Sequence, residues 1–214
     1  EQETQAMQAL LKECLEAGAI GLSTSFVDMD ETLQPVPSRY ADAAELDALC
    51  AVLGQHNRIL QVVHEFYDND ITVARIDQLA DISRKHKITT TLSPLFVNND
   101  NFAGVDQAIA RVVEQNEAGA RVWPQVQTRP IDISFTFSVP SLLFIRLRTW
   151  YAVMRFGTPE TIMAAFSDEE QRKQLVAEAS NMMGLWQRLI LRQVKTEANQ
   201  QYVGKNLAEI AELR

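Results

Sequence analysis

Glu16-Ala17-Gly18-Ala19-Ile20-Gly21-Leu22-Ser23-Thr24 is the stretch that decides the fold, because its first four residues recur later in the chain. The same order of residues stands at Glu117-Ala118-Gly119-Ala120. Each copy ends a stretch with the apolar spacing of a helix and precedes an apolar segment typical of a strand, 20–24 and 121–126. Glycine supplies the left-handed backbone that commonly ends a helix. A repeated helix–glycine–strand unit indicates a repeated architecture.

Two further units of the same design lie between these copies. Their helices end near Asn57 and Lys85-His86-Lys87, and their strands are expected at 59–64 and 88–92, which are rich in β-branched residues. Asn57 tolerates the left-handed conformation that glycine adopts in the other two units. The two helices before these strands carry their apolar residues on one side: Leu46, Leu49, Val52 and Leu53 in one, Ile76, Leu79, Ala80 and Ile82 in the other. Strands that alternate with such helices pair in parallel, in a doubly wound sheet or a barrel.

We interpret the chain as an α/β protein that forms part of a TIM-type (β/α) barrel, with four parallel strand–helix units in residues 1–136. Beyond Arg129-Pro130 the alternation stops, and residues 137–214 are expected to form a mainly helical extension. Thr158-Pro159 and Ser167-Asp168 mark helix starts in this part, because such residues suit the cap and the first turn. A strand is expected at 189–194 and a last helix at 207–213.

The composition narrows the classes of partner. The 214 residues are 46% hydrophobic and 22% charged, which is a globular composition with enough apolar residues for a core. A net charge of -8 argues against nucleic-acid and acidic-membrane partners, since both favour a basic protein face. The sequence has no apolar run of about 18 residues, and Cys14 and Cys50 do not suggest a disulfide framework. We therefore expect a cytoplasmic protein that acts on a small molecule.

Polar side chains at the predicted strand ends are the candidates for a functional site, because reactive groups of parallel α/β folds gather there. The first strand delivers Ser23, a candidate substrate-binding residue. The second delivers His64, whose neutral ring can bind a divalent metal. The neighbouring Glu65 is a candidate catalytic residue that can orient the histidine or move protons. The pattern equally allows His64 to be a hydrogen-bonded histidine without a metal.

The fourth strand end adds Gln125 and Arg129 as candidates for substrate binding. The Arg129 guanidinium can hold a substrate carboxylate through two parallel hydrogen bonds. A structural salt bridge suits Arg129 about as well. The third strand end, near Ser93, carries no imidazole or thiolate.

Three segments resemble the N-acyl-D-amino-acid deacylases (D-aminoacylases), a family of the amidohydrolase superfamily. Residues 6–24, with their Gly18-Ala19-Ile20-Gly21-Leu22-Ser23-Thr24 run, resemble the segment that precedes the active-site strands of these enzymes. Residues 122–130 resemble a later strand, and residues 202–211 resemble a stretch near the last barrel strand. The resemblance implies a TIM-like barrel and hydrolysis of a non-peptide C–N bond by a zinc-activated water.

The resemblance also implies roles for individual positions. His64 falls where the family has the zinc-binding histidine of its fifth strand, and Leu92-Ser93-Pro94 occupies the sixth-strand position without a histidine. The family's early strands, and the last strand with its Asp general base, have no counterpart in the sequence. We therefore expect a central to C-terminal piece of a longer enzyme, inactive alone, whose ligand is an N-acyl amino acid or a related amide.

Two other interpretations stay open at this point. In the first, loss of metal ligands has left a non-catalytic barrel with a binding or scaffold role. In the second, the chain is a freestanding doubly wound binding module. Unpaired edges of a partial barrel would in addition favour a homodimer, because unpaired strands expose backbone groups that bind other strands.

Overall fold

The computed structural model describes residues 2–30, 34–66, 68–96, 102–129, 132, 144 and 147–213. Contacts between Cα atoms divide the chain into two compact units, residues 1–131 and 132–214. The boundary predicted from the sequence, between residues 136 and 137, lies outside the described residues. No helix among the described residues is long and apolar enough to cross a membrane.

The first unit alternates helices and strands, as the sequence predicts. The helices are α1 (Gln2–Glu16), α2 (Ala43–Gln55), α3 (Asn69–His86) and α4 (Phe102–Glu117). The strands are β1 (Gly21–Ser25), β2 (Ile59–Val63), β3 (Thr90–Ser93) and β4 (Val122–Pro124). A short 3-10 helix, Pro37–Tyr40, lies between β1 and α2.

The ends of the helices confirm the local signals read from the sequence. Gly18 and Gly119 have φ angles of 112° and 88°, so both adopt the positive φ that only glycine reaches without a steric penalty. Asn57, at φ 50°, takes the same role after α2. Asp42 caps α2 by accepting a hydrogen bond from the backbone N–H of Glu45 at 2.8 Å.

The sheet has the strand order β1-β2-β3-β4, and every neighbouring pair is parallel. Each crossover therefore moves one strand in the same direction, and right-handed crossovers then place the connecting helices on one face of the sheet. A doubly wound sheet would reverse its strand order and cover both faces. The order thus confirms the predicted partial (β/α) barrel and argues against the doubly wound module.

The core of the first unit lies between the sheet and its helices. Strand side chains from alternate positions, among them Leu60, Val62 and Leu92, are fully buried. Helix residues pack against them from one side, with Ile76 and Leu79 of α3 also fully buried. The burial of alternate strand residues gives the sheet one face covered by helices and a second face on which none of the four described helices of this unit packs, called here the helix-free face.

The second unit is mainly helical, as predicted. Its helices are α5 (Arg148–Phe156), α6 (Pro159–Ser167), α7 (Glu169–Ser180), α8 (Met183–Trp186) and α9 (Leu207–Glu212), with a 3-10 helix at Glu197–Tyr202. Thr158 and Asp168 cap α6 and α7 through their side chains. A small core forms where Trp150 stacks on Phe144 at a ring-centroid distance of 4.7 Å.

The strand predicted at 189–194 is wrong. In this segment the structure has a single antiparallel bridge, between Ile190 and Asn206. The partner segment cannot extend the pairing, because a 3-10 helix ends at Tyr202 and α9 begins at Leu207. Apolar, β-branched residues favoured a strand here, but a strand needs a partner of equal length.

Candidate functional site

The helix-free face of the sheet carries a row of polar side chains. The register pairs Ser23 with Gln61 and Gln61 with Thr91, so these side chains point to the same side of the sheet. Ser93 and Gln125 follow at the carboxyl ends of β3 and β4. We call Ser23, Gln61, Thr91, Ser93 and Gln125 the polar row.

Side-chain hydrogen bonds connect the polar row across the strands. Ser23 Oγ donates to Gln61 Oε1, and Gln61 Nε2 donates to Ser93 Oγ at 2.8 Å. Gln125 Nε2 donates to Thr91 Oγ1 at 3.0 Å. Two predicted site residues, Ser23 and Gln125, thus lie on one face. The sequence reasoning missed Gln61, although it is the one polar residue of the apolar strand Ile59–Val63.

A cleft of about 860 Å³ lies beside the carboxyl ends of β1 and β2. Two predicted site residues, Ser23 and Glu65, both line it. Arg39 also lines the cleft, and sequence reasoning did not select it. The apolar lining residues of the cleft include Leu22, Phe26, Leu46 and Leu49.

The cleft opens because α1 packs only through its second half. Leu11 and Leu15 are the buried residues of α1, and both lie in that second half. Residues 2–10 of α1 contain no buried side chain, and Met7 lines the cleft from this part of the helix. The first half of α1 therefore leaves the carboxyl end of β1 partly uncovered.

Glu65 is held in an ion pair at the edge of the cleft. Its carboxylate accepts hydrogen bonds from Arg75 Nη2 at 2.6 Å and from Arg75 Nε at 2.8 Å. Arg75 Nη1 donates to Gln78, and the guanidinium lies 4.4 Å from the ring centroid of Phe26. The hydrogen bonds from Arg75 lower the pKa of Glu65, and those to Glu65 raise the pKa of Arg75. Glu65 therefore stays ionised at neutral pH.

His64 lies apart from this cleft, in the helix layer. It follows β2 with the same alternation as Leu60 and Val62, so its side chain turns toward α3 and α4. The side chain is fully buried, and Nε2 lies 3.1 Å from the carbonyl oxygen of Pro94. Burial lowers the pKa of the His64 imidazole. The structure thus separates the predicted metal ligand from the predicted substrate-binding residues.

Arg129 is exposed and follows β4 beyond Gln125. Neither Gln125 nor Arg129 lines the cleft that Ser23 and Glu65 share. The predicted site residues therefore fall into three places: the cleft, the β4 end of the helix-free face and the helix layer.

The described residues do not fit a zinc site. Within the described ranges, no three side chains of His, Cys, Asp or Glu come close enough together to hold a metal ion. Around His64 the cavity is lined by apolar and amide or hydroxyl side chains, without a carboxylate, thiolate or second imidazole. Zinc prefers those missing groups, and one imidazole is too few for a protein site.

Comparison with solved structures finds similarity to an N-acyl-D-glutamate deacylase and to D-aminoacylase. The chain is similar to the N-acyl-D-glutamate deacylase of Bordetella bronchiseptica, solved with zinc and a phosphonate inhibitor, at 28% identity and a TM-score of 0.46. That similarity covers 56% of this chain and 24% of the deacylase. A D-aminoacylase structure and a copper-bound mutant of D-aminoacylase are each 26% identical over 61% of this chain, with TM-scores of 0.46 and 0.47.

The chain spans about a quarter of the length of these solved structures, 24% to 25%. No family model matches the sequence, and no curated protein matches it either.

Proposed function

We propose that this chain contributes to an amidohydrolase that cleaves a non-peptide C–N bond of a small N-acyl amino acid. The observation that carries the proposal is the cleft beside β1 and β2, which is lined by apolar side chains together with Ser23, Glu65 and Arg39. Its volume lies within the range of small-molecule sites. Its lining is mixed, with Glu3, Asp42 and Glu45 beside the apolar side chains. An N-acyl amino acid offers an acyl chain to the apolar side chains, and an amide and a carboxylate to the polar ones.

Arg39 is the side chain that suits the ligand carboxylate. Its Nη1 donates to the carbonyl oxygen of Val27 at 3.3 Å and contacts Met29 Sδ at 3.2 Å. Its other guanidinium N–H groups have no partner among the described residues, and Arg75, the second cation of the cleft, is already bound to Glu65. A guanidinium with two free N–H groups binds a carboxylate in a well-defined orientation.

Glu65 and Ser23 suit the amide part of the ligand. Glu65 is ionised, so it accepts hydrogen bonds or a proton and does not donate one. Ser23 Oγ donates to Gln61 and retains lone pairs for a ligand N–H. Gln125 and Arg129 stay predicted substrate-binding residues from the β4 side. The zinc of the family would need ligands beyond the described residues.

A second function is favoured by one specific observation. His64 is buried with its Nε2 engaged by Pro94, and Glu65 is engaged by Arg75. These contacts suit a barrel that binds an N-acyl amino acid without hydrolysing it. A cytoplasmic location and a small-molecule ligand are common to both proposals.

The test separates binding from hydrolysis. Isothermal titration of this 214-residue chain with N-acetyl-D-amino acids should give saturable binding that R39Q weakens about 10-fold, the loss of one charged hydrogen bond. R192Q, at an exposed arginine in the second unit, is the matched control and should leave affinity unchanged. Equal affinity of R39Q and the parent chain would refute the proposed cleft.

Hydrolysis is measured on the full-length protein with the same ligands, by release of free D-amino acid. Hydrolysis that accompanies binding supports the amidohydrolase, and binding without hydrolysis in metal-supplemented buffer supports the non-catalytic barrel. Bound metal is quantified in the same material by elemental analysis.

A further inference from the structure

The two ring nitrogens of His64 have different surroundings. Nε2 lies 3.1 Å from the carbonyl oxygen of Pro94. A carbonyl oxygen only accepts hydrogen bonds, so Nε2 carries the proton. Nδ1 is buried and has no hydrogen-bond partner among the described residues. In the neutral ring, Nδ1 is therefore an acceptor whose lone pair is unused.

An unused acceptor in this position is costly. Leaving a buried polar atom without a partner costs about 1–3 kcal/mol, and native proteins leave few such atoms. The cost is avoided when an ordered water reaches the atom. Whether His64 carries this cost therefore depends on whether a water molecule can reach Nδ1.

A small cavity adjoins His64 between the ends of β2 and β3 and the helices α3 and α4. Its volume is about 10 Å³, which is close to the space that a single water molecule needs. Thr72 and Asn69 of α3 line the same cavity and offer polar atoms beside the ring. Thr72 Oγ1 donates to the carbonyl oxygen of Asp68 at 2.8 Å, which leaves its lone pairs available as acceptors.

We propose that this cavity holds one buried water molecule, which donates one hydrogen bond to His64 Nδ1 and another to Thr72 Oγ1. The water and the Pro94 hydrogen bond together make His64 a bridge between β2, β3 and α3. This assignment goes beyond the proposed function, because the site lies in the helix layer and does not line the ligand cleft. It also accounts for the histidine that the sequence placed as a zinc ligand.

The experiment is NMR spectroscopy of the 15N-labelled 214-residue chain at neutral pH. Long-range proton–nitrogen correlations report which ring nitrogen is protonated, and the spectrum of H64Q identifies the His64 signals. The expected result is a proton on Nε2 and a cross-relaxation peak between the His64 ring and a long-lived water. A proton on Nδ1, or a ring without a water contact, would overturn the proposal.

Two additions sharpen this test. T72V removes the second partner of the water while keeping the shape of the side chain, so the water contact should weaken with the tautomer unchanged. T161V is the matched control, because Thr161 Oγ1 also donates to a backbone carbonyl, that of Thr158 at 3.0 Å, on α6. Zinc ions added at equimolar concentration should leave the His64 signals in place, and a zinc-dependent shift would contradict the water assignment.

Discussion

Glu65 and Arg75 are joined by two parallel hydrogen bonds, Nη2 to Oε1 at 2.6 Å and Nε to Oε2 at 2.8 Å, across the turn that connects β2 to α3. The side chains keep only 15% and 29% of their surface exposed. A pair with this geometry and burial fixes the start of α3 against the end of β2. Removing one partner leaves the other charge partly buried and unpaired.

We expect R75M to lower the free energy of unfolding by about 2 kcal/mol, because it leaves the Glu65 carboxylate without its donors. Urea unfolding followed by circular dichroism measures the change. K12M is the control, since Lys12 and Glu16 form a pair in which both side chains are 58% exposed. That exposed pair should contribute less than about 0.5 kcal/mol. Equal losses in the two variants would contradict the structural role of Arg75.

Stability should fall as the pH drops from 7.5 to 5.5, about one unit to either side of the usual histidine pKa of ~6.5. Burial lowers the pKa of His64 in the folded chain, so the unfolded chain binds the proton more readily. The contribution of His64 is therefore complete above the unfolded-state pKa and is lost as the pH falls toward the folded-state pKa. Urea unfolding at several pH values measures this slope.

The control for the pH prediction is H64Q, which removes the titrating ring. Its unfolding free energy should vary less over the same pH range than that of the parent chain. A slope that survives in H64Q would assign the pH dependence to another group.

Gly54 should not tolerate alanine, although alanine favours helices. A Cβ built on Gly54 would lie 2.6 Å from the carbonyl oxygen of His86, so α2 and α3 would have to separate. We expect G54A to lose about 1–3 kcal/mol of unfolding free energy, the range of overpacked cores. G184A is the matched control, since the nearest atom to its Cβ is the flexible Arg188 side chain at 3.8 Å. A neutral G54A would show that the helices can shift apart freely.

Among the described strands β4 lies at the edge of the sheet, and this edge should promote association of the chain with itself, the homodimer expected from the sequence. Trp123 and Val126 lie at this end of the described sheet, and each is 58% exposed. Analytical ultracentrifugation of the 214-residue chain should detect self-association that W123K reduces, because charge on an edge strand opposes pairing. Y40K, at an aromatic residue of the 3-10 helix Pro37–Tyr40 that is 72% exposed, is the control. Monomeric parent chain at high concentration would contradict the prediction.

The sequence alone predicted the structural features that depend on residues close together in the chain. The glycine at Gly18 and its counterpart Gly119 mark helix ends, and the alternation of helices and strands predicts parallel pairing. Both depend on backbone preferences within one unit. The strand expected at 189–194 was wrong because a strand also needs a partner segment elsewhere in the chain, which the local sequence does not specify.

The candidate site was predicted in part. Ser23 and Glu65 do share a cleft, since strand ends converge in this fold. The direction of His64 was not predicted, because it depends on whether the alternation of Leu60 and Val62 continues past the end of β2. The partner of Glu65 and the lining role of Arg39 depend on how α3 and the β1–α2 connection pack, which local patterns do not specify.

Because the helices of the first unit lie on one face of the sheet, substitutions on its two faces affect different sets of side chains. Substitutions at Gln61, Thr91 or Gln125 alter side chains that face away from the helices, whereas substitutions at Leu60 or Leu92 disturb the fully buried core. The two faces of each strand can therefore vary separately, because the polar row and the apolar core occupy alternate positions. A mutant library confined to the polar row would alter the hydrogen-bonded face of the sheet and keep the side chains of the apolar core unchanged.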